Sequence, residues 1–99
     1  MNKCHFIGRL VSEPVVTTEQ NTTKVTLDLA LTRRFKKNNE ELSYHTDFIK
    51  CEAWDSGAEV ISKSFRKGDL IIVQAAARSQ GGDVVFRITE FSFPSSCGL

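Results

Sequence analysis

Residues 43–68, SYHTDFIKCEAWDSGAEVISKSFRKG, decide the fold, because the side-chain period changes inside them. From Ser43 to Trp54 the residues alternate. Ile49, Cys51 and Ala53 fall on one face, and Phe48, Lys50, Glu52 and Trp54 fall on the other. That is the period of a strand. The first set is small and apolar and belongs inside. The second mixes large aromatics with charges, an unusual outer face. After Trp54 the period lengthens. Ser56 and Glu59 have the spacing of a capping box, in which each side chain satisfies the other's free backbone N–H. Ala58, Ile61 and Phe65 form one apolar stripe. Arg66 and Lys67 complement the negative end of a helix dipole, and Gly68 suits a left-handed stop. The pattern predicts a helix of about three turns, too short to stand without a sheet beneath it.

Working outward, residues 24–34 form the clearest strand, with Val25, Leu27, Leu29 and Leu31 at period two. Residues 3–11 form another, and Gly8 within it marks a bulge or a close backbone approach. Residues 12–23, with Pro14 and a run of Thr, Gln and Asn, read as a connection. Residues 36–42 read as a solvated loop turned by Asn38-Asn39. Residues 69–78 and 84–90 form two strands joined at Gly81-Gly82, a two-residue hairpin signal. That turn pairs Ala77 with Phe86 and Ala75 with Ile88 on the inward face, and sets Arg78 and Arg87 outward. The same register would oppose Val73 to Glu90, which cannot both be inside. A bulge or strand end near Thr89 is therefore required. The order strand, strand, strand, helix, strand, strand predicts an all-β, five-stranded OB-fold barrel with one short helix between strands 3 and 4.

The chain has 99 residues and 40% hydrophobic composition, enough for one domain and one modest core. We assign residues 1–94 to the barrel domain and 95–99 to a short C-terminal tail. The longest apolar run, Leu70 to Val73, is far short of the ~20 residues that a bilayer span needs. Three cysteines and no apolar leader predict an intracellular protein with reduced thiols. The net charge of +1 argues by itself against a nucleic-acid partner. The charge is segregated, however: residues 24–37 carry +4 and residues 38–59 carry −5.

Arg33-Arg34-Phe35-Lys36-Lys37, with Phe48, Lys50 and Trp54, is the constellation best suited to binding. Cations follow phosphates, and flat rings stack on unpaired bases at about 1–3 kcal/mol per base. The competing reading is a solvated charged hairpin with two half-buried aromatics. Arg78 adds a further outward cation. Cys4, His5, His45, Cys51 and Cys97 are the available soft metal ligands, but no C-x-x-C or H-x-x-x-H spacing arranges them. Cys4 and Cys51 read instead as small core residues. No nucleophile motif, phosphate loop or cofactor fingerprint occurs. The carboxylates Glu40, Glu41, Asp47, Glu52, Asp55 and Glu59 are explained by a polar loop, an outward strand face and a helix cap. We expect neither an enzyme nor a bound metal or cofactor.

Several segments together resemble the bacterial-type single-stranded DNA-binding protein family. Asn2 to Leu10 looks like its opening strand, and Thr46 to Trp54 is similar to its third strand. Ala58-Glu59-Val60 and Phe65 to Asp69 resemble its helix and helix exit, and Ile88 to Phe93 its final strand. The resemblance implies an OB fold that binds single-stranded DNA with little sequence preference in replication, recombination or repair. It implies stacking roles for Phe35, Phe48 and Trp54, and backbone contacts from the basic residues around them. It also implies a homo-oligomer, a dimer or tetramer, to which the apolar Leu70 and Ile72 on the outward face would contribute.

Three features depart from the family pattern. The last hairpin is cut to Ser79-Gln80-Gly81-Gly82-Asp83 and carries no aromatic. Glu52 sits between Lys50 and Trp54, where an acid repels phosphate unless a neighbouring cation offsets it. The acidic tip with which family members recruit replication proteins does not appear by Ser95-Ser96-Cys97-Gly98-Leu99, as expected either where the tail has been removed or in a compact viral or accessory member lacking it. A cytoplasmic or nucleoid-associated location follows, or the host cytoplasm for a viral protein. The alternative readings are a primosome-type OB accessory protein acting through protein partners, and an OB interaction module whose aromatic face meets protein.

Overall fold

The computed structural model describes residues 1–37 and 41–94, and for residues 35–37 and 41 the backbone alone. The chain forms β1 (Cys4–Leu10), β2 (Val15–Glu19), β3 (Thr22–Lys37), β4 (Glu41–Trp54), α1 (Asp55–Ser64), β5 (Leu70–Gln80) and β6 (Asp83–Ser92). The sheet runs β1-β5-β6-β4-β3-β2, and a further β1–β3 pairing at Arg9↔Ala30 and Leu10↔Leu29 closes it. The closed ring therefore consists of β1, β3, β4, β6 and β5, with α1 between its third and fourth strands in chain order. This is the expected OB-fold barrel.

The period-two faces lie where the alternation places them. Val25, Leu27, Leu29, Cys51, Ala53, Ile71, Val73 and Ala75 are buried. Burying a Val, Leu or Ile side chain is worth roughly 1.5–3 kcal/mol. Ile49 and Leu31 are half-buried, as is Cys4, so only Cys51 of the two expected core thiols is fully inside. Gly8 is a close approach: a Cβ there would lie 3.0 Å from Leu31 Cδ2 and 3.1 Å from Leu29 Cβ. It brings the backbone of β1 against β3 where the barrel closes.

The final hairpin has the expected register, with Ala77↔Phe86, Ala75↔Ile88 and a tight Gln80↔Asp83 closure. Gly81 and Gly82 take φ of 58° and 91°, values that glycine adopts without strain. Pairing then jumps from Ala75↔Ile88 to Gln74↔Glu90, which makes Thr89 the extra residue of the bulge. Val73 consequently opposes Phe91, an apolar partner, rather than Glu90.

Four expectations need correction. The connection at residues 12–23 contains β2, a hairpin partner of β3 turned by Gln20 and Asn21 at φ of 47° and 65°. Every β2 residue is exposed, so no apolar alternation marks the strand. The loop expected at 36–42 is shorter, because the β3–β4 ladder continues to Lys37↔Glu41. The capping box does not form. Trp54, the last strand residue, is itself the N-cap, which puts Ser56 and Glu59 too deep in the helix to exchange cap bonds. Gly68, at φ 94°, belongs to a turn beyond the helix, where Asp69 Oδ2 accepts from Arg66 N at 2.8 Å. Arg66 does satisfy the helix end: its Nη1 donates to the Ser62 and Phe65 carbonyls at 2.9 Å.

Helix α1 packs against β3 and β4. Ala58 and Ile61 are buried beneath it, and Phe65 stacks on Phe93 with ring centroids 4.0 Å apart. No helix among the described residues is long and apolar enough to cross a membrane. The expected tail, 95–99, lies outside the described residues.

Candidate nucleic-acid interface

The outer face of β4 carries the candidate site. Strand alternation puts Tyr44, Phe48, Lys50, Glu52 and Trp54 on one side, opposite the buried Cys51 and Ala53. At the strand rise of 3.2–3.4 Å per residue, Phe48 and Trp54 lie about 20 Å apart along it. Phe48 is 70% exposed because its cross-strand neighbour on β3 is only Ala30. Trp54 is 37% exposed and pairs with Lys24. The Lys24 ammonium lies 5.5 Å from the indole centroid. Lys50 is exposed and pairs with Asp28.

A groove of ≈ 590 Å³ opens beside Phe48, lined also by Ile49, Lys50, Val85 and Phe86 and by Gln80 and Asp83 of the last turn. An apolar floor with a cation and an aromatic wall suits a flat, charged-backbone ligand.

The five cations of the sequence constellation do not all share this face. Arg34 pairs with Tyr44, so both lie on the side of Phe48. Arg33 lies on the opposite face, where its Nε donates to Asp47 Oδ2 at 3.1 Å. Asp47 Oδ1 also lies 3.4 Å from His45 Nε2. Arg33 is thus held by an acid away from the aromatic row. The backbone of Phe35, Lys36 and Lys37 pairs with Ser43, Leu42 and Glu41, and their side chains lie outside the described residues. Arg78 is exposed on the outward face of β5, opposite Val85.

Glu52 is not an exposed outer residue. It is only 5% exposed, because β6 runs parallel beside β4 and sets Arg87 against it. Arg87 Nε and Nη2 each lie 3.4 Å from Glu52 Oε1, and Trp54 Nε1 donates to the same oxygen at 3.3 Å. The Arg87 guanidinium carbon also lies 5.5 Å from the Trp54 centroid. The acid that the sequence left unexplained therefore has its offsetting cation.

Sequence reasoning missed three members of this face. Tyr44, 64% exposed, carried a signal: it is four residues before Phe48 on the same strand. Lys24, in the +4 block, and Arg87, set outward by the hairpin register, were visible as cations, but only strand pairing brings them to Trp54. His5 lies against Gln74, and no group of three His, Cys, Asp or Glu side chains among the described residues could hold a metal ion. Cys4 and Cys51 are free thiols, and Cys97 lies outside the described residues.

The family model described as "Single-strand binding protein family" matches residues 1–83. The chain belongs to the single-strand binding protein family. A single-stranded DNA-binding protein of Aquifex aeolicus is 36% identical over 75 residues, which cover 75% of this chain and 51% of that protein. This family member spans about half the length of the curated relatives it matches. Among solved structures, a small single-stranded DNA-binding protein from Streptomyces coelicolor superposes with a TM-score of 0.79 at 24% identity, covering 99% of this chain and 100% of that one. A Plasmodium falciparum single-strand binding protein in complex with single-stranded DNA superposes with a TM-score of 0.81 at 22% identity, covering 94% of each. These likenesses support the same fold.

Proposed function

We propose that this family member binds and coats single-stranded DNA with little sequence preference, serving replication, recombination or repair. The observation that carries the reading is the row of Phe48 and Trp54 on the outer face of β4. Arg34, Lys50 and Lys24 stand on the same face around it. Bases stack on the rings, whose faces accept any base, while the cations hold phosphates and release their counterions. Phe35, Lys36, Lys37 and Arg78 extend the path along the β3–β4 arm and the last hairpin. Arg33, paired with Asp47, contributes least. The relatives' names and the DNA-bound Plasmodium falciparum structure support the choice of ligand.

The partner besides DNA is a second copy of the chain. The outward faces of β1 and β5 set the 63%-exposed Ile7 against Ile72, with Leu70 next along the strand. An apolar strip of this kind supports a homo-oligomer.

Trp54 is the sole tryptophan, so its fluorescence reports the site directly. Oligo-dT quenches it at low salt, and added salt reverses the quenching. A folded protein that shows no quenching at low salt sinks the stacking model.

A further inference from the structure

We propose that Arg87 is a further DNA-contacting cation of this face, and that Glu52 is the positioning residue that aims both Arg87 and Trp54. The inference rests on the single-stranded DNA reading above. An acid between two DNA-stacking positions is unfavourable for a phosphate ligand, so its placement needs a reason. The geometry supplies one. A single carboxylate oxygen, Glu52 Oε1, collects the indole N–H of Trp54 and the Nε and Nη2 groups of Arg87. Trp54 is thereby fixed at its ring edge, and Arg87 is fixed at one side of its guanidinium.

Arginine has five N–H donors. Glu52 engages the one on Nε and one on Nη2. The Nη1 pair remains to meet a phosphate, and the Arg87 side chain is 39% exposed. Lys24 and Arg87 come from β3 and β6, the strands on either side of β4, and each stands 5.5 Å from the ring centroid. A base that stacks on Trp54 therefore brings its phosphates between two cations already gathered there. Glu52 is buried, so its own charge meets these partners before it meets the DNA. Three donors on one oxygen also limit the rotamers of Trp54 and Arg87, which lowers the entropy lost on binding.

Simple charge counting makes the opposite forecast. Removing an acid beside a phosphate path should tighten binding. The test is titration of the full chain against labelled oligo-dT by anisotropy, over a salt series, for the unaltered protein, E52Q, R87Q and the double variant. R87Q weakens binding several-fold and makes the log–log salt slope shallower by about 0.7, the share of one phosphate contact on a single strand. E52Q weakens binding despite the gain in net positive charge, and it shifts Trp54 emission in the DNA-free protein. In the R87Q background, E52Q costs less than it does alone, because one of its two targets is already gone. Tighter binding by E52Q overturns the positioning role, and an unchanged affinity and slope in R87Q overturn the Arg87 contact. If E52Q does not fold, R87K decides. Lysine keeps the charge and the salt slope but loses the two-pronged hold, so affinity falls; affinity equal to that of the unaltered protein overturns the proposal. Failure of the unaltered protein to bind oligo-dT sinks the DNA reading itself, a result distinct from either reversal.

Discussion

Phe48 pairs with Ala30 across the β3–β4 ladder and is left 70% exposed, so its ring contributes little to the core. Phe48→Ala therefore weakens single-stranded DNA binding by about 1–3 kcal/mol, the usual cost of one lost base–aromatic stack. The melting temperature moves little, and a large loss of stability would place Phe48 in the core. Cys51, three residues further along β4 and on its inward face, is the opposite case. It is fully buried, and burial, with Asp28 adding repulsion, pushes its thiol from an ordinary 9.0 up to about 12. Below about pH 9 the thiol is protonated in both folded and unfolded chains, and its contribution to stability is whole. Above that pH the unfolded chain ionises while the folded one does not, so stability falls as pH rises toward about 12. Denaturation measured across about pH 8–11 shows this decline, and Cys51→Ala flattens it. Both residues were legible in the sequence, because strand alternation alone separates inside from outside.

At the scale of elements, Gly8 and the last hairpin show how far local signals reach. Gly8 read as a bulge or a close approach, and the approach of β1 to Leu29 and Leu31 is what the barrel requires. Gly8→Val forces side-chain atoms into that gap and destabilises the protein by about 1–3 kcal/mol, the usual cost of overpacking. A thermal melt measures it, and an unchanged melt would show that β1 can move away from β3. The Thr89 bulge was also legible, since Val73 and Glu90 cannot share an inward pair. Strand β2 was not. Its five residues are wet on both faces, so they carry β-branched propensity without period. The capping box misled for a related reason. Its spacing is local, but the N-cap position is set by where β4 ends, and β4 ends at Trp54.

For the molecule as a whole, a net charge of +1 conceals a polarised arrangement. Lys24, Arg34, Lys50, Arg78 and Arg87 face outward around the aromatic row, while Arg33 is neutralised by Asp47 on the other side. Five such cations, each closing one phosphate, contribute a log–log salt slope of about −3.5 on a single strand, and Lys36 and Lys37 on the proposed path bring it to about −5. Oligo-dT titration over a salt series checks this. A much steeper slope would mean that charge from elsewhere on the chain governs binding, and that stacking carries less of it. On the proposed reading, the aromatic row is what lets a nearly neutral protein hold a polyanion, because stacking does not weaken by counterion competition.

The sequence by itself determined the faces of the strands, the strand–helix–strand order, the glycine turn and the aromatic row, because each depends on residues within one element. It also marked Glu52 as an acid in need of a cation. Only the tertiary structure decided which cation. Arg87 is 35 residues away and reaches Glu52 because β6 lies parallel to β4, a pairing that no local period encodes. Other non-local pairings closed the barrel at Arg9↔Ala30, set Asp47 within reach of Arg33 and gathered Lys24 to Trp54. Alternation along a chain fixes which side a residue faces; strand pairing fixes whom it meets.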